Sequence, residues 1–257
     1  MNYEAGILYV STGQKYYQET IRSARSAKKL MPSIPTALFT DQQPNSDNSL
    51  LFDEVNIIRE PKFSFDDKIL PLKETPFQKT LFVDTDTVFV DSIVELFVLL
   101  DKFDLAYCHA PCRVCPGKNN RVQEVPDCFP EANTGVIVYN NSEIFQALVD
   151  EWEKIYTEQR NAPFPPNHDQ PAFRKALYSS PMISYVLPPE YNLRTPMPMY
   201  KGWGLNPKIL HGRGPSLERA IQATGASGQN FGLYDFSTEK LSKKHSVLDE
   251  ARWLTRR

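Results

Sequence analysis

The ten residues Leu81-Phe82-Val83-Asp84-Thr85-Asp86-Thr87-Val88-Phe89-Val90 constrain this chain more than any other stretch. Apolar and β-branched residues flank two carboxylates on both sides. That composition predicts a strand entering the core, a short turn and a second strand. An unpaired ionised carboxylate in a dry interior is costly, or it shifts its pKa until it is neutral. Two carboxylates at i and i+2 of an extended segment also point to the same side and repel each other. A divalent cation held between Asp84 and Asp86 at the carboxyl edge of the sheet resolves both problems. Such a cation grips an anionic ligand, a nucleoside diphosphate foremost.

An edge of this kind needs a sheet with a real core behind it. The 257 residues, 41% hydrophobic and 23% charged, are enough for one large domain or two small ones. The net charge of −2 supplies no electrostatic footprint for nucleic acid or an anionic membrane. No apolar run reaches the roughly 18 residues of a transmembrane segment. Met1-Asn2-Tyr3-Glu4 lacks the basic segment and apolar run of a signal peptide, so a cytoplasmic location is the default expectation.

The first hundred residues alternate between strand and helix signals. Ala5 to Val10 is a compact apolar run and the expected first strand. Ser11-Thr12-Gly13 follows as a polar turn with a capping residue. Tyr16 to Leu30 is helical by composition, with Tyr17, Ile21, Ala24 and Ala27 facing inward, and Pro32 and Pro35 end it. Thr36 to Thr40 is a second strand, stopping at Asp41, and Val55 to Ile58 a third. Strand, helix, strand in this order implies a parallel βαβ unit and an α/β class. Ligands of open α/β sheets collect beyond the carboxyl ends of the strands, where Ser11, Thr12, Asp41 and Asp84 all fall. Taken alone, Ser11 and Thr12 read rather as helix caps or turn residues.

Lys68 lies at the expected start of a short helix. Ser92 is placed to cap a helix from Ile93 to Leu100, and Leu105 to Cys108 reads as another strand. Residues 110 to 130 lack periodicity, and a loop this long in a compact domain is usually functional or disordered. Glu131 to Tyr139 is expected to enter a strand through a small-residue turn, with Gly135 allowing close backbone approach. Ser142 caps a helix to about Gln159 whose Ile144, Phe145, Leu148, Trp152 and Ile155 form a core stripe. After a Pro-rich linker comes His168-Asp169-Gln170, then a helix from Pro171 to Tyr178 and a strand from Ser184 to Leu187. Of the 21 prolines, 15 lie after residue 110, so rigid loops concentrate in the second half. The tail from Thr238 to Arg257 has the pattern of a charged amphipathic helix.

Two further segments carry ligand-type residues. Cys112-Arg113-Val114-Cys115, with Cys108, Cys128 and His109, supplies enough donors for a structural zinc, although the second CxxC of a zinc ribbon is missing. Reduced thiols in a long loop is the other reading. In Ile209-Leu210-His211-Gly212-Arg213-Gly214-Pro215 the glycines permit close approach, Arg213 can pair with phosphate and His211 can ligate a metal.

Four of these pieces together resemble a known family. Asp84-Thr85-Asp86 after an apolar strand looks like the DxD motif of GT-A glycosyltransferases. Asn133-Thr134-Gly135 resembles the Asn-Ala-Gly segment of glycosyltransferase family 8, with Thr134 in place of the usual alanine. His168-Asp169-Gln170 resembles that family's Asp-Gln element, and His211-Gly212 its late metal-binding His-Gly. The order agrees, and the matched segments run from residue 5 to about residue 215. The late segment departs from the commoner His-x-x-Gly-x-x-Lys-Pro-Trp pattern.

The resemblance implies a GT-A fold, a Rossmann-like mixed, mostly parallel sheet flanked by helices. It implies one domain over residues 1–257, with a nucleotide-binding half to about 110, an acceptor and sugar half to about 237 and a C-terminal helix beyond. The donor would be a nucleotide sugar, UDP-linked above all, held with manganese or magnesium. Asp84, Asp86 and His211 would ligate the metal, with Asp84 also near the ribose. Ser11, Thr12 and Asp41 would meet base and ribose, joined by Thr85 and Gly212 on the donor side. Lys68 or Arg213 would meet the diphosphate. Asn133 and Gly135 would line the donor sugar, and Asp169 with Gln170 would stand at the anomeric carbon or the sugar hydroxyls. Anomeric configuration would be retained. The acceptor, a glycan, lipid or protein, is unspecified; residues 110–130 and 191–204, with Tyr200 and Trp203, are the expected acceptor side.

Asp84-Thr85-Asp86-Thr87-Val88 also fits the nucleophile motif of haloacid-dehalogenase phosphatases, with Asp84 accepting the phosphoryl group. That motif normally opens its domain rather than following 80 residues of βαβ. A nucleotidyltransferase and a catalytically silent sugar-nucleotide binder are the remaining alternatives.

Overall fold

A computed structural model describes residues 3–111, 122, 124–195, 207–225, 234–235 and 240–241. The N-terminal apolar run forms β1 (Tyr3–Ser11), and Ile7 to Ser11 are buried. Leu8 and Val10 face one side of the sheet, Ile7 and Tyr9 the other. A strand covered on both faces reads as an unbroken apolar run, which is what the sequence presents. Helix α1 (Gln14–Leu30) follows and buries Tyr17, Ile21, Ala24 and Ala27, the stripe its periodicity predicts.

The cap expected at Ser11 and Thr12 is absent. Ser11 belongs to β1, and Thr12 Oγ1 donates to Asp67 Oδ2 instead. Gly13 occupies the cap position at φ 89°, a left-handed conformation glycine adopts without penalty. Its N–H is accepted by Asp41 Oδ1 at 2.8 Å.

The chain continues through β2 (Thr36–Thr40), α2 (Ser46–Ser49), β3 (Glu54–Ile57), α3 (Asp66–Ile69), β4 (Phe77–Val83) and β5 (Thr87–Phe89). Strand, turn and strand around Asp84 to Asp86 is the predicted arrangement. The helix expected from Ile93 to Leu100 shrinks to one turn, α4 (Leu96–Leu99), with Glu95 rather than Ser92 before it. Val94 and Val98 face solvent, so Ile93, Leu96, Phe97 and Leu100, with the partly buried Leu99, anchor the segment.

Next come β6 (Leu105–His109), β7 (Ala132–Asn140), α5 (Glu143–Arg160), α6 (Gln170–Ser179) and β8 (Ser184–Val186). The main sheet has the order β3-β2-β1-β4-β7-β6-β8, and β7 alone runs against the rest. Asn133-Thr134-Gly135 is therefore not a turn leading into a strand but part of β7 itself. The reversal sets this end of β7 beside the carboxyl end of β4, where Asp84 N donates to Gly135 O at 2.7 Å.

Ser142 caps α5 as predicted, its hydroxyl accepting Phe145 N. Ile144 is exposed, however; the buried stripe is Phe145, Leu148, Val149, Trp152, Ile155 and Tyr156. With α6 this stripe covers one face of the sheet, while α1 covers the other. Trp152 is fully buried and meets the Phe173 ring edge-on at 4.6 Å. Trp152→Ala would cost about 3–5 kcal/mol.

A second sheet, β5-β10-β9, forms from β9 (Leu193–Arg194) and β10 (Ile209–His211) with β5. Helix α7 (Pro215–Gly225) follows. The pair β11 (Tyr234–Asp235) and β12 (Lys240–Leu241) corrects the expected tail helix at Lys240 and Leu241, which pair as a strand. The rest of that tail lies outside the described residues. No helix among the described residues is long and apolar enough to cross a membrane.

Candidate functional site

Asp84, Thr85 and Asp86 form the connection between β4 and β5, so the carboxylates converge through a turn and not along an extended strand. Thr87 Oγ1 donates to Asp84 O at 2.8 Å and closes the turn. β10 pairs antiparallel with β5, setting His211 opposite Thr87, and Gly212 N donates to Asp86 O. This register brings His211 Nε2 to 3.3 Å from Asp86 Oδ1 and 3.8 Å from Asp84 Oδ2. One ligand atom from each of the three residues lies within 4.8 Å of the others. Ligands about 90° apart at 2.0–2.1 Å from an octahedral cation stand roughly 3 Å from each other, so the trio has the size of a divalent-metal site.

A hydrogen-bond chain fixes the histidine tautomer. The Gly135 N–H is a fixed donor, so the Asn133 atom facing it at 3.0 Å is the carbonyl oxygen. Asn192 donates its Nδ2 to that same oxygen at 2.9 Å, which turns Asn192 Oδ1 toward His211 Nδ1 at 2.7 Å. Nδ1 therefore carries a proton, and because Arg194, which can only donate, meets Nε2 at 2.6 Å, Nε2 presents a lone pair. An oriented histidine of this kind suits metal ligation. Gly135 packs directly beneath: a Cβ there would lie 2.3 Å from His211 Cε1 and 2.6 Å from Asp84 Oδ2.

Three cations surround the trio. Lys68 reaches Asp84 Oδ1 at 3.1 Å, Asp169 Oδ2 at 3.5 Å and Thr134 Oγ1 at 3.2 Å. Burial works against its ammonium, but Asp169 and Asp84 outweigh burial and raise its pKa above the ordinary value. Arg213 meets Asp86 Oδ2 at 3.2 Å and grips Glu19 through two contacts of 2.9 Å. Arg194 Nη1 lies 2.6 Å from His211 Nε2. Burial alone would raise the Asp86 carboxyl; the positive charge around it, with Arg213 and Arg194 among its sources, holds it well below the usual carboxylate range.

The trio opens on a cavity of about 320 Å³. Of the residues nominated from the sequence, Ser11, Thr12, Lys68, Asp84, Thr85, Asp86, Asn133, Asp169, Gln170, His211 and Arg213 line it. Asp41, Gly135 and Gly212 do not. Asp41 sits behind the wall holding Gly13, and the two glycines act through backbone packing on Asp84 and Asp86. The sequence reading missed Tyr16, Phe63, Asp67, Asn192 and Arg194. Phe63 had a detectable signal only in three dimensions: its φ of 52° is left-handed, and Asp67 stabilises it by accepting Lys62 N and Phe63 N.

Of the cysteines in the zinc reading, Cys108 is a buried thiol that donates to Pro188 O, its pKa pushed up by burial and Glu190. Cys128 is exposed and free, and Cys112, Cys115, Tyr200 and Trp203 lie outside the described residues.

No family model and no curated protein matches the sequence. Solved structures do match. GlyE, a glycosyltransferase of Streptococcus pneumoniae TIGR4, superposes with a TM-score of 0.59 at 16% identity, over 82% of this chain and 55% of its own. The galactosyltransferase LgtC, in complex with donor and acceptor sugar analogs, gives 0.57 at 16% identity, over 86% of this chain and 95% of its own. The bifunctional glycosyltransferase WbbM gives 0.56 at 15% identity, over 84% of this chain and 46% of its own. The chain has the GT-A fold. The chain thus spans about half of GlyE and WbbM and nearly all of LgtC. In the GT-A chain the trio lies at the carboxyl end of β4, the edge where open α/β sheets bind their ligands.

Proposed function

We propose that this protein is a metal-dependent glycosyltransferase that moves a sugar from a nucleoside-diphosphate donor, UDP-linked, to an acceptor. The observation that carries this reading is the trio itself: three electron-pair donors turned toward one point, beside a cavity that also carries three cationic side chains. Carboxylates and an imidazole suit manganese or magnesium. Asp84, Asp86 and His211 would hold the ion, which supplies Lewis-acid stabilisation of the departing diphosphate.

The chain's own groups would do the rest. Lys68 and Arg213 offer charge to the phosphates. Ser11 and Thr12 border the base and ribose end, with Thr85 beside them. Asn133, Asp169 and Gln170 form the wall where the sugar would rest, and Asp169 is held in place by Lys68 and Thr134. Retention of configuration is the expectation that travels with the resemblance to family 8. A phosphatase with Asp84 as nucleophile fits less well, because Oδ1 is engaged by Lys68 and Oδ2 faces His211.

A thermal-shift screen of UDP, GDP, CDP and ADP with and without Mn²⁺ tests the reading. UDP is expected to stabilise the protein only with Mn²⁺ present; at about 100 times its dissociation constant it adds roughly 2.7 kcal/mol. Equal shifts for all nucleotides, independent of metal, would refute it. Release of UDP from a UDP-sugar then separates an enzyme from a silent binder.

A further inference from the structure

Each of the three electron-pair donors has a cationic side chain beside it, and one of these contacts differs from the other two. Lys68 meets Asp84 through Oδ1, whereas Oδ2 is the oxygen turned toward His211. Arg213 meets Asp86 through Oδ2, whereas Oδ1 is the oxygen turned toward His211. In both cases the cation takes the outer oxygen and leaves the inner one to the trio. Arg194 takes the inner atom: its Nη1 lies 2.6 Å from His211 Nε2. An imidazole protonated on Nδ1 has a single in-plane lone pair, and an arginine can only donate. That lone pair cannot serve a guanidinium and a metal ion at once.

The fold keeps Arg194 there. β9 pairs in parallel with β10 so that Arg194 stands opposite His211, and Thr195 N donates to His211 O at 3.0 Å. The guanidinium also lines the ligand cavity. Two carboxylate oxygens and a lone pair facing one another repel unless something positive sits among them, and Arg194 supplies that charge from within the chain.

We infer that Arg194 is the resident counter-cation of the trio, one that a divalent ion must displace from His211 Nε2 and that then pairs with the anionic diphosphate. The inference rests on the function proposed above and adds a coupling to it. A metal ion binding alone forfeits the Arg194–His211 contact. With a diphosphate present the displaced guanidinium gains a new partner of matching geometry, and the loss is offset. Metal and nucleotide then bind as a pair, each weak without the other. Arg194 is a competitor of the cation for His211 Nε2 and a ligand for the phosphates.

The test uses the full chain and two calorimetric titrations, Mn²⁺ without nucleotide and UDP in saturating Mn²⁺. In Arg194→Met, Mn²⁺ alone is expected to bind about tenfold tighter and UDP about tenfold weaker, a modest value for such couplings. A merely structural arginine would not move the two affinities in opposite directions. If Arg194→Met does not fold, by circular dichroism, Arg194→Gln is neutral and still polar, and the same pair of shifts is required of it. A folded variant whose Mn²⁺ affinity is unchanged or weaker overturns the role of Arg194 and leaves the proposed function standing. A wild-type chain that binds no Mn²⁺, with or without UDP, overturns the proposed function and the role of Arg194 together.

Discussion

Two charged clusters share the wall of one cavity and are built on opposite principles. Around Lys68, every contact is between unlike partners: the ammonium meets Asp84, Asp169 and the Thr134 hydroxyl, and Thr134 in turn donates to Asp169. Around His211, the inner atoms are alike: two carboxylate oxygens and a nitrogen lone pair face one another. The first cluster is largely satisfied from within, Asp169 Oδ2 alone having the 3.5 Å ion pair with Lys68 and no hydrogen bond. The second is tolerable only with positive charge among its members. Asp84 belongs to both, one oxygen to each, so an ion-paired anchor holds a ligand of the incomplete cluster in place. Removing a member should therefore damage the fold in one cluster and cation binding in the other.

The largest effect is expected from Lys68→Met. It strands the buried Asp169 carboxylate beside Asp84, and breaking a buried pair on one side costs about 3–5 kcal/mol. Because the cavity admits water, the low end is expected, and urea unfolding measures it. Asp86→Ala should do the reverse. Arg213 keeps Glu19 and Arg194 keeps His211, so the stability loss should be smaller than that of Lys68→Met, although the Arg213–Asp86 ion pair goes. The manganese-dependent stabilisation by UDP should nevertheless disappear. An Asp86→Ala protein with unchanged Mn²⁺ affinity would erase the distinction between the clusters.

Asn192→Leu sharpens the same contrast one step farther from the cation. It removes the acceptor that orients His211 Nδ1 and leaves both carboxylates in place. Loss of such an outer partner typically weakens a metal 10–100-fold. A Mn²⁺ titration showing no loss would mean that the β10 backbone alone orients the ring.

Why the sequence revealed one cluster better than the other follows from where the residues sit. Strands buried on both faces announce themselves as apolar runs, so β1, β2 and β4 could be located, and with them the carboxyl edge carrying Asp84 and Asp86. Ser142 and the spacing of Phe145, Leu148 and Trp152 gave α5, although Ile144 was placed on the wrong face because an apolar residue beside a stripe looks like part of it. These elements gave the α/β class; the GT-A fold was implied only by the resemblance of four motifs, from Asp84-Thr85-Asp86 to His211-Gly212, to a known family. Asn192 and Arg194 were not legible. They belong to a 3₁₀ turn and a two-residue strand, too short for any periodicity, and only pairing with β10 brings them to His211. Asp41 was over-read: strand ends point to the edge, but which side chains enter the cavity depends on a turn such as that at Gly13. Thr134 was noticed as a departure, yet its purpose became clear only from its partners.

Thr134 is also the subtlest way to probe the Lys68 cluster. Its hydroxyl accepts from Lys68 at 3.2 Å and donates to Asp169 Oδ1 at 3.2 Å, so it joins the two charges without bearing one. Thr134→Val preserves shape and burial while removing both contacts. The charged pair remains, so the loss should be about that of ordinary hydrogen bonds, roughly 1–2 kcal/mol in urea unfolding. Mn²⁺ affinity should stay at the wild-type value, because Thr134 touches no inner atom of the trio. If Thr134→Val instead weakened Mn²⁺ as much as Asn192→Leu does, the anchor would be transmitting strain to Asp84. The two clusters would then have to be treated as one device joined at that residue.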